Sequence, residues 1–183
     1  MIGNLISNQN LTELVDKNVI EFKPFYDSSI VQIAQYPLKA RTFLKKFDEK
    51  SFTLVHDFTK KDNFIIKPNQ YIIVEIFEQI ILPSGIVGRF IPASNLIEQG
   101  IGLTAGKLEY PFGQKNEKIR FGLKNFTDNE LIFNKSDRIA YIEFFDLRSL
   151  KISDTKLSDR DKAIYSDRRN SIFHDGELNY DQD

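Results

Sequence analysis

The 183-residue chain has no cysteine, no tryptophan, one methionine and two histidines. Without cysteine there are no disulfides, thiolate metal sites, iron–sulfur clusters or cysteine nucleophiles. His56 and His174 have no carboxylate or histidine nearby at a metal-ligand spacing, so both are expected in packing or surface roles and a zinc enzyme is disfavoured. An excess of one charge is also missing, with 25 Lys and Arg against 26 Asp and Glu and a formal net charge of −1. A protein that wraps nucleic acid mainly by counterion release would be basic, and no strong nucleic-acid signal is present. Long apolar runs are absent as well. Residues 72–83 are interrupted by Glu75, Glu78 and Gln79 and fall short of the roughly 20 residues that a membrane-spanning helix needs. The first ten residues lack the basic start and apolar centre of a signal peptide, so no membrane association and a cytoplasmic address are expected.

What the chain does have is 16 Phe and seven Tyr, with plentiful Ile, a composition that favours strands. Ser7 to Val15 reads as a short helix capped by Ser7 or Asn10, with Leu11, Leu14 and Val15 on one face. Strands are expected at 19–22, stopped by Pro24, and at 30–33, closed at Tyr36-Pro37. Further candidates lie at 43–47 and 52–56. Phe64-Ile65-Ile66, the turn Lys67-Pro68-Asn69-Gln70 and a strand at 71–77 form the clearest stretch, followed by strands at 86–91, 119–123, 131–133 and 138–145. Many short strands with turns between them predict a mainly all-β sandwich, barrel or jelly roll without a helical layer. The pattern fades beyond Leu147, giving a β domain over 1–147 and an irregular C-terminal tail over 148–183.

Three stretches, in order, resemble one family. Phe64-Ile65-Ile66-Lys67-Pro68-Asn69-Gln70-Tyr71-Ile72-Ile73-Val74 with Ile80-Ile81-Leu82-Pro83 is similar to a turn, long strand and L-P passage of the dCTP deaminase and dUTPase superfamily. Ala93-Ser94-Asn95-Leu96-Ile97-Glu98-Gln99-Gly100-Ile101 resembles its R-S-S-L-x-R-x-G-L signature, and Asn134-Lys135-Ser136-Asp137-Arg138-Ile139-Ala140 its late G-D-R-I-A strand. The capped helix and the Ile20-Glu21-Phe22-Lys23-Pro24 strand suit the deaminase branch. The resemblance implies a distorted β-jelly roll, a homotrimer with nucleotide sites between subunits, and a nucleotide or nucleotide-like ligand.

The same resemblance shows what the site positions contain. Ala93 and Glu98 stand where the signature has arginines; a glutamate makes no paired bonds to phosphate and repels it. Ser94 and Asn95 are retained as candidate nucleotide-binding residues, with a plain helix N-cap as the alternative. The deaminase-branch glutamate that activates water falls on Gly122, counting from the matched Asn125, and glycine moves no proton. In the dUTPase branch, an aspartate in the substrate loop corresponds to Glu109 within Gly106-Lys107-Leu108-Glu109-Tyr110-Pro111-Phe112-Gly113, and an aspartate used through magnesium falls near Val31 and is missing. Phe112 offers a ring to stack on a base, with a core role as the alternative. Asp137-Arg138 is read as architectural. In the tail, Tyr165 matches a deaminase closing segment, while Ile164 and Arg168 replace its lysine and glutamine; Arg168 and Arg169 add positive charge.

Two functions follow. The first is a catalytically degenerate relative that keeps the oligomeric scaffold and acts by binding a nucleotide-like ligand or a protein partner, through Ser94, Asn95, Glu109, Phe112 and Tyr165, with no cofactor. The alternative is a divergent deaminase or nucleoside triphosphate pyrophosphatase acting on dCTP or dUTP. There Glu109 is the base, Lys107, Lys115, Arg120 or the tail arginines hold phosphate, and magnesium is needed only by a dUTPase-type hydrolase.

Overall fold

In the computed structural model, which describes residues 5–46, 51–112 and 117–148, Ser7 accepts the Asn10 N–H and opens helix α1 (Asn8–Asp16). Leu11 is buried and Leu14 and Val15 pack on the core. Twelve strands follow among the described residues: β1 (Glu21–Lys23), β2 (Gln35–Lys46), β3 (Phe52–Asp57), β4 (Asn63–Ile66), β5 (Tyr71–Ile76), β6 (Gln79–Ile81), β7 (Ile86–Pro92), β8 (Ile101–Thr104), β9 (Lys107–Glu109), β10 (Arg120–Asn125), β11 (Leu131–Asn134) and β12 (Arg138–Asp146). A short helix, α2 (Ser94–Glu98), follows β7.

The main sheet runs β8-β10-β5-β2-β12-β7-β9, with β3 also on β2; β1–β6 and β4–β11 form separate two-stranded ribbons. Strand β2 joins the halves. Its first residues pair with β12 and its later ones with β5 and β3, with register shifts where it changes partner. Such bulges bend and twist a strand, and here the sheet curls until Phe90 of β7 meets Phe121 of β10 at a ring separation of 4.8 Å. The result is the expected mainly β, curled jelly-roll architecture.

The aromatic excess fills two clusters. Phe43, Phe58 and Phe133 are fully buried, and Phe43 lies 4.9 Å from Phe58 and 5.3 Å from Phe133, ring to ring. Buried His56 belongs here, 4.4 Å from the Phe58 ring, with its Nε2 3.1 Å from the Lys61 carbonyl, which is the packing role expected of it. Phe22, Tyr26, Tyr36 and Phe144 form the second cluster under α1.

Three readings of the sequence need correction. No strand forms at 30–33, where Ser28–Ile30 is a single 3₁₀ turn capped by Asp27. Pro37 does not close a strand but lies within β2, because that stretch pairs on one side only, with β12, before β5 takes over from Ala40. The loop expected at 106–113 contains β9, and β6 and β8 are additional strands too short to show a period. The 148–183 tail lies outside the described residues except Arg148, which pairs with Asp146 at 2.6 Å. None of the described helices is long and apolar enough to cross a membrane.

Two buried polar residues set measurable constraints. The fully buried Asn125 donates from Nδ2 to the carbonyls of Ile66, Lys67 and Asn129, and its Oδ1 accepts from the Thr127 N–H and hydroxyl. It ties two turns to the end of β10. Asn125→Ala is expected to cost about 2–4 kcal/mol in urea denaturation, since the buried Ile66 carbonyl, two part-buried carbonyls and an N–H lose their partner together. Glu78 is also buried, and its carboxylate accepts from its own backbone N–H and weakly from the Lys39 N–H at 3.4 Å. Burial pushes its carboxyl up to about 7. The folded state therefore holds this proton at pH values where the unfolded chain has lost it. The contribution is fully present below the ordinary glutamate range and is lost as pH rises through about 7. Denaturation measured from pH 4 to 8 is expected to show a fall of roughly 3 kcal/mol from this group, and Glu78→Leu removes that slope.

Candidate functional site

Strand β10 turns Phe121, Leu123 and Asn125 into the core, so that Arg120, Gly122 and Lys124 share its other face. Gly122 pairs with Ile73 of β5 on one side and with Thr104 of β8 on the other. The Tyr71 hydroxyl of β5 and the Thr104 hydroxyl lie 3.4 Å apart, and both reach over Gly122. A Cβ at Gly122 would collide with both oxygens and lie 2.6 Å from Tyr71 Cζ. The position therefore does more than lack a carboxylate: two hydroxyls from neighbouring strands fill the space that a side chain would occupy. Sequence reasoning found the glycine but missed Tyr71 and Thr104, which become its neighbours only through strand pairing.

Two residues along β10, Arg120 donates through Nε and Nη2 to Glu75 Oε2 at 3.2 and 3.0 Å, and its guanidinium sits 5.0 Å from the Phe52 ring centre. Glu75 is buried and is the directly opposed residue on β5. A charge-assisted, partly buried pair of this kind holds Arg120 in place. Lys107 lies 2.9 Å from Glu109, two residues along the same strand, in a far more exposed pair.

Among the described residues the candidate nucleotide-binding positions fall into two groups at opposite ends of β7. Glu109 ends β9, opposite Val87 near the start of β7, whereas Ser94 and Asn95 begin α2 beyond the other end of β7. From Val87 to Pro92 alone the strand covers roughly 17 Å. The N-cap of α2 is Ala93, without a side-chain bond, which corrects the plain N-cap alternative for Ser94 and Asn95. Ser94 is exposed, Asn95 is half-buried and Glu98 is exposed. Phe112 is half-buried against the core, and its N–H donates to the Glu109 carbonyl at 2.9 Å. Val31 also packs partly buried against the core. Asp137 accepts the Asn134 N–H at 2.8 Å, and Arg138 donates to the Tyr141 hydroxyl at 3.0 Å, in keeping with an architectural pair. Lys115, Ile164, Tyr165, Arg168, Arg169 and His174 lie outside the described residues. Among the described residues no three His, Asp or Glu side chains gather in a group that could hold a metal ion.

The family model described as dCTP deaminase-like matches residues 5–147. The chain belongs to the dCTP deaminase-like family. A dCTP deaminase from Agrobacterium tumefaciens superposes with a TM-score of 0.61 at 14% identity, covering 78% of this chain and 48% of that one. This dCTP deaminase-like chain therefore spans about half the length of that enzyme. A dUTPase from the S. aureus phage phi11 superposes at 0.51 with 9% identity, over 75% of this chain and 96% of the phage protein. At these identities the likeness is one of fold. No curated protein matches the chain by sequence.

The packing over Gly122 gives a direct test. Gly122→Ala is expected to push the exposed Tyr71 and Thr104 hydroxyls aside. In a Tyr71→Ala, Thr104→Ala background the same change is expected to cost less than it does in the unmodified chain, as read by a urea-denaturation cycle.

Proposed function

We propose that the chain is a catalytically degenerate dCTP deaminase-like protein that works by binding a nucleotide-like ligand rather than by turning it over. The observation that carries this reading is the filled space over Gly122. In the resembled deaminase branch a carboxylate activates the attacking water, and the space over Gly122 holds the Tyr71 and Thr104 hydroxyls in place of any carboxylate. The charge balance nearby supports the same reading. Arg120 is bound to the buried Glu75, so a triphosphate would meet a guanidinium already committed, beside the exposed Glu98.

A ligand site built from Ser94, Asn95, Glu109 and Phe112 is completed between copies, since these residues stand at opposite ends of β7 in one copy. A homotrimer acting in the cytoplasm is the assembly proposed. Hydrolysis or deamination through Glu109 as base is the competing reading.

Purified protein incubated with dCTP or dUTP is expected to release neither ammonia nor pyrophosphate above a no-protein control, followed by proton and phosphorus NMR. In the same samples, dCTP or dUTP is expected to raise the melting temperature by a few degrees, as mass action requires of any ligand that binds only the folded state. Turnover that disappears in Glu109→Gln would overturn the reading in favour of a rearranged enzyme.

A further inference from the structure

Away from the β10 face, a cavity of about 380 Å³ opens beside β2, between the β5–β6 turn and the turns after β3 and β11. This lies at the small end of the roughly 300–1,000 Å³ typical of small-molecule pockets. Its inner surface is aromatic and apolar, with buried Tyr36, Ala40 and Phe58, while Phe25 and Phe77 stand exposed at its edge. An exposed pair of Phe rings at a cavity mouth offers flat faces for a planar ligand.

Three cations line the same cavity. Lys39 and Arg41 project from β2, and Lys135 comes from the turn between β11 and β12. Neither Lys39 nor Arg41 makes a salt bridge or a side-chain hydrogen bond among the described residues. Two carboxylates share the cavity with them: Asp27, whose Oδ1 accepts from the Ser29 N–H and hydroxyl, and buried Glu78, which feels the Lys39 charge; Asp57 near Arg41 accepts from the Thr59 N–H and hydroxyl. Lys135 is held only loosely, 3.7 Å from the exposed Asp62. Buried Glu78 supplies the cavity's polar inner wall, 8% exposed, with the Lys39 N–H at 3.4 Å. Its carboxyl also accepts from its own backbone N–H and keeps lone pairs for a further donor.

We propose that this cavity binds a nucleoside monophosphate, with Lys39, Arg41 and Lys135 holding the phosphate, Phe25 and Phe77 flanking the base, and the Glu78 carboxyl meeting a base N–H. Three cations against the Asp27 and Glu78 carboxyls leave the lining with an excess of positive charge, which suits a phosphate. Glu78 selects a ring that carries a donor. The site is independent of the cleft assigned to Ser94 and Glu109, and it stands whether or not that cleft is catalytic.

Calorimetric titration of the full chain with CMP, UMP, AMP and GMP tests the assignment, with ribose 5-phosphate as the base-free probe. At least one mononucleotide is expected to bind at least tenfold tighter than ribose 5-phosphate. Arg41→Ala, a change at an exposed side chain, is expected to weaken that nucleotide about tenfold or more, the loss of a charge-assisted contact. Glu78→Leu is expected to bring the nucleotide down to within about twofold of ribose 5-phosphate; if this variant fails to fold by circular dichroism, Arg41→Ala decides the matter alone. Failure of all four nucleotides to bind tighter than about 1 mM, or binding unchanged in Arg41→Ala, would overturn the proposal.

Discussion

The fold depends on β2 changing partners along its length. Its first residues belong to the half of the sheet built on β12, β7 and β9, and its later ones to the half built on β5, β10 and β8. A flat strand could not serve both, and the register shifts in β2 and β12 provide the bend. Phe43 lies near this change and is fully buried among Phe58, Phe64 and Phe133, so the bend is fixed by packed rings. The placement of every candidate site residue follows from it. The β12 half carries β7, and with it α2 at one end and the partner of Glu109 at the other, while the β5 half carries Gly122 and its two covering hydroxyls.

Where the sequence has both a period and punctuation, the elements are readable from it. The cap at Ser7, the Lys67–Gln70 turn and the long strands β5, β7, β10 and β12 all show apolar alternation or spacing bounded by polar or turn residues. Pro37 misleads because a strand paired on one side needs no N–H on the other, and sequence alone does not reveal which side is open. Strands β6, β8 and β9 are three or four residues long and exist because a neighbour has free backbone groups to offer.

The candidate site divides in the same way. Ala93, Glu98 and Gly122 are legible as departures from a motif, because a missing charge or side chain is a property of one residue. What replaces them is a property of pairs. Tyr71 and Thr104 meet only because β5 and β8 flank β10, and Arg120 loses its availability only because Glu75 stands opposite it. The separation of Ser94 from Glu109 likewise depends on β9 pairing with the beginning of β7, and short β9 carries no periodic signal.

The near-neutral net charge acquires a local meaning from these pairs. On the β10 face, taking Arg120 for a phosphate would strand the buried Glu75, and breaking a buried pair by removing one partner costs about 3–5 kcal/mol. A phosphate contact there would have to exceed that cost before adding any affinity. Lys39 and Arg41 carry no such obligation, since no carboxylate loses a bonded partner when they turn to a ligand. Cations of equal formal charge on one small domain thus differ in what they offer an anion. The difference is set by whether strand register has placed a buried carboxylate opposite them.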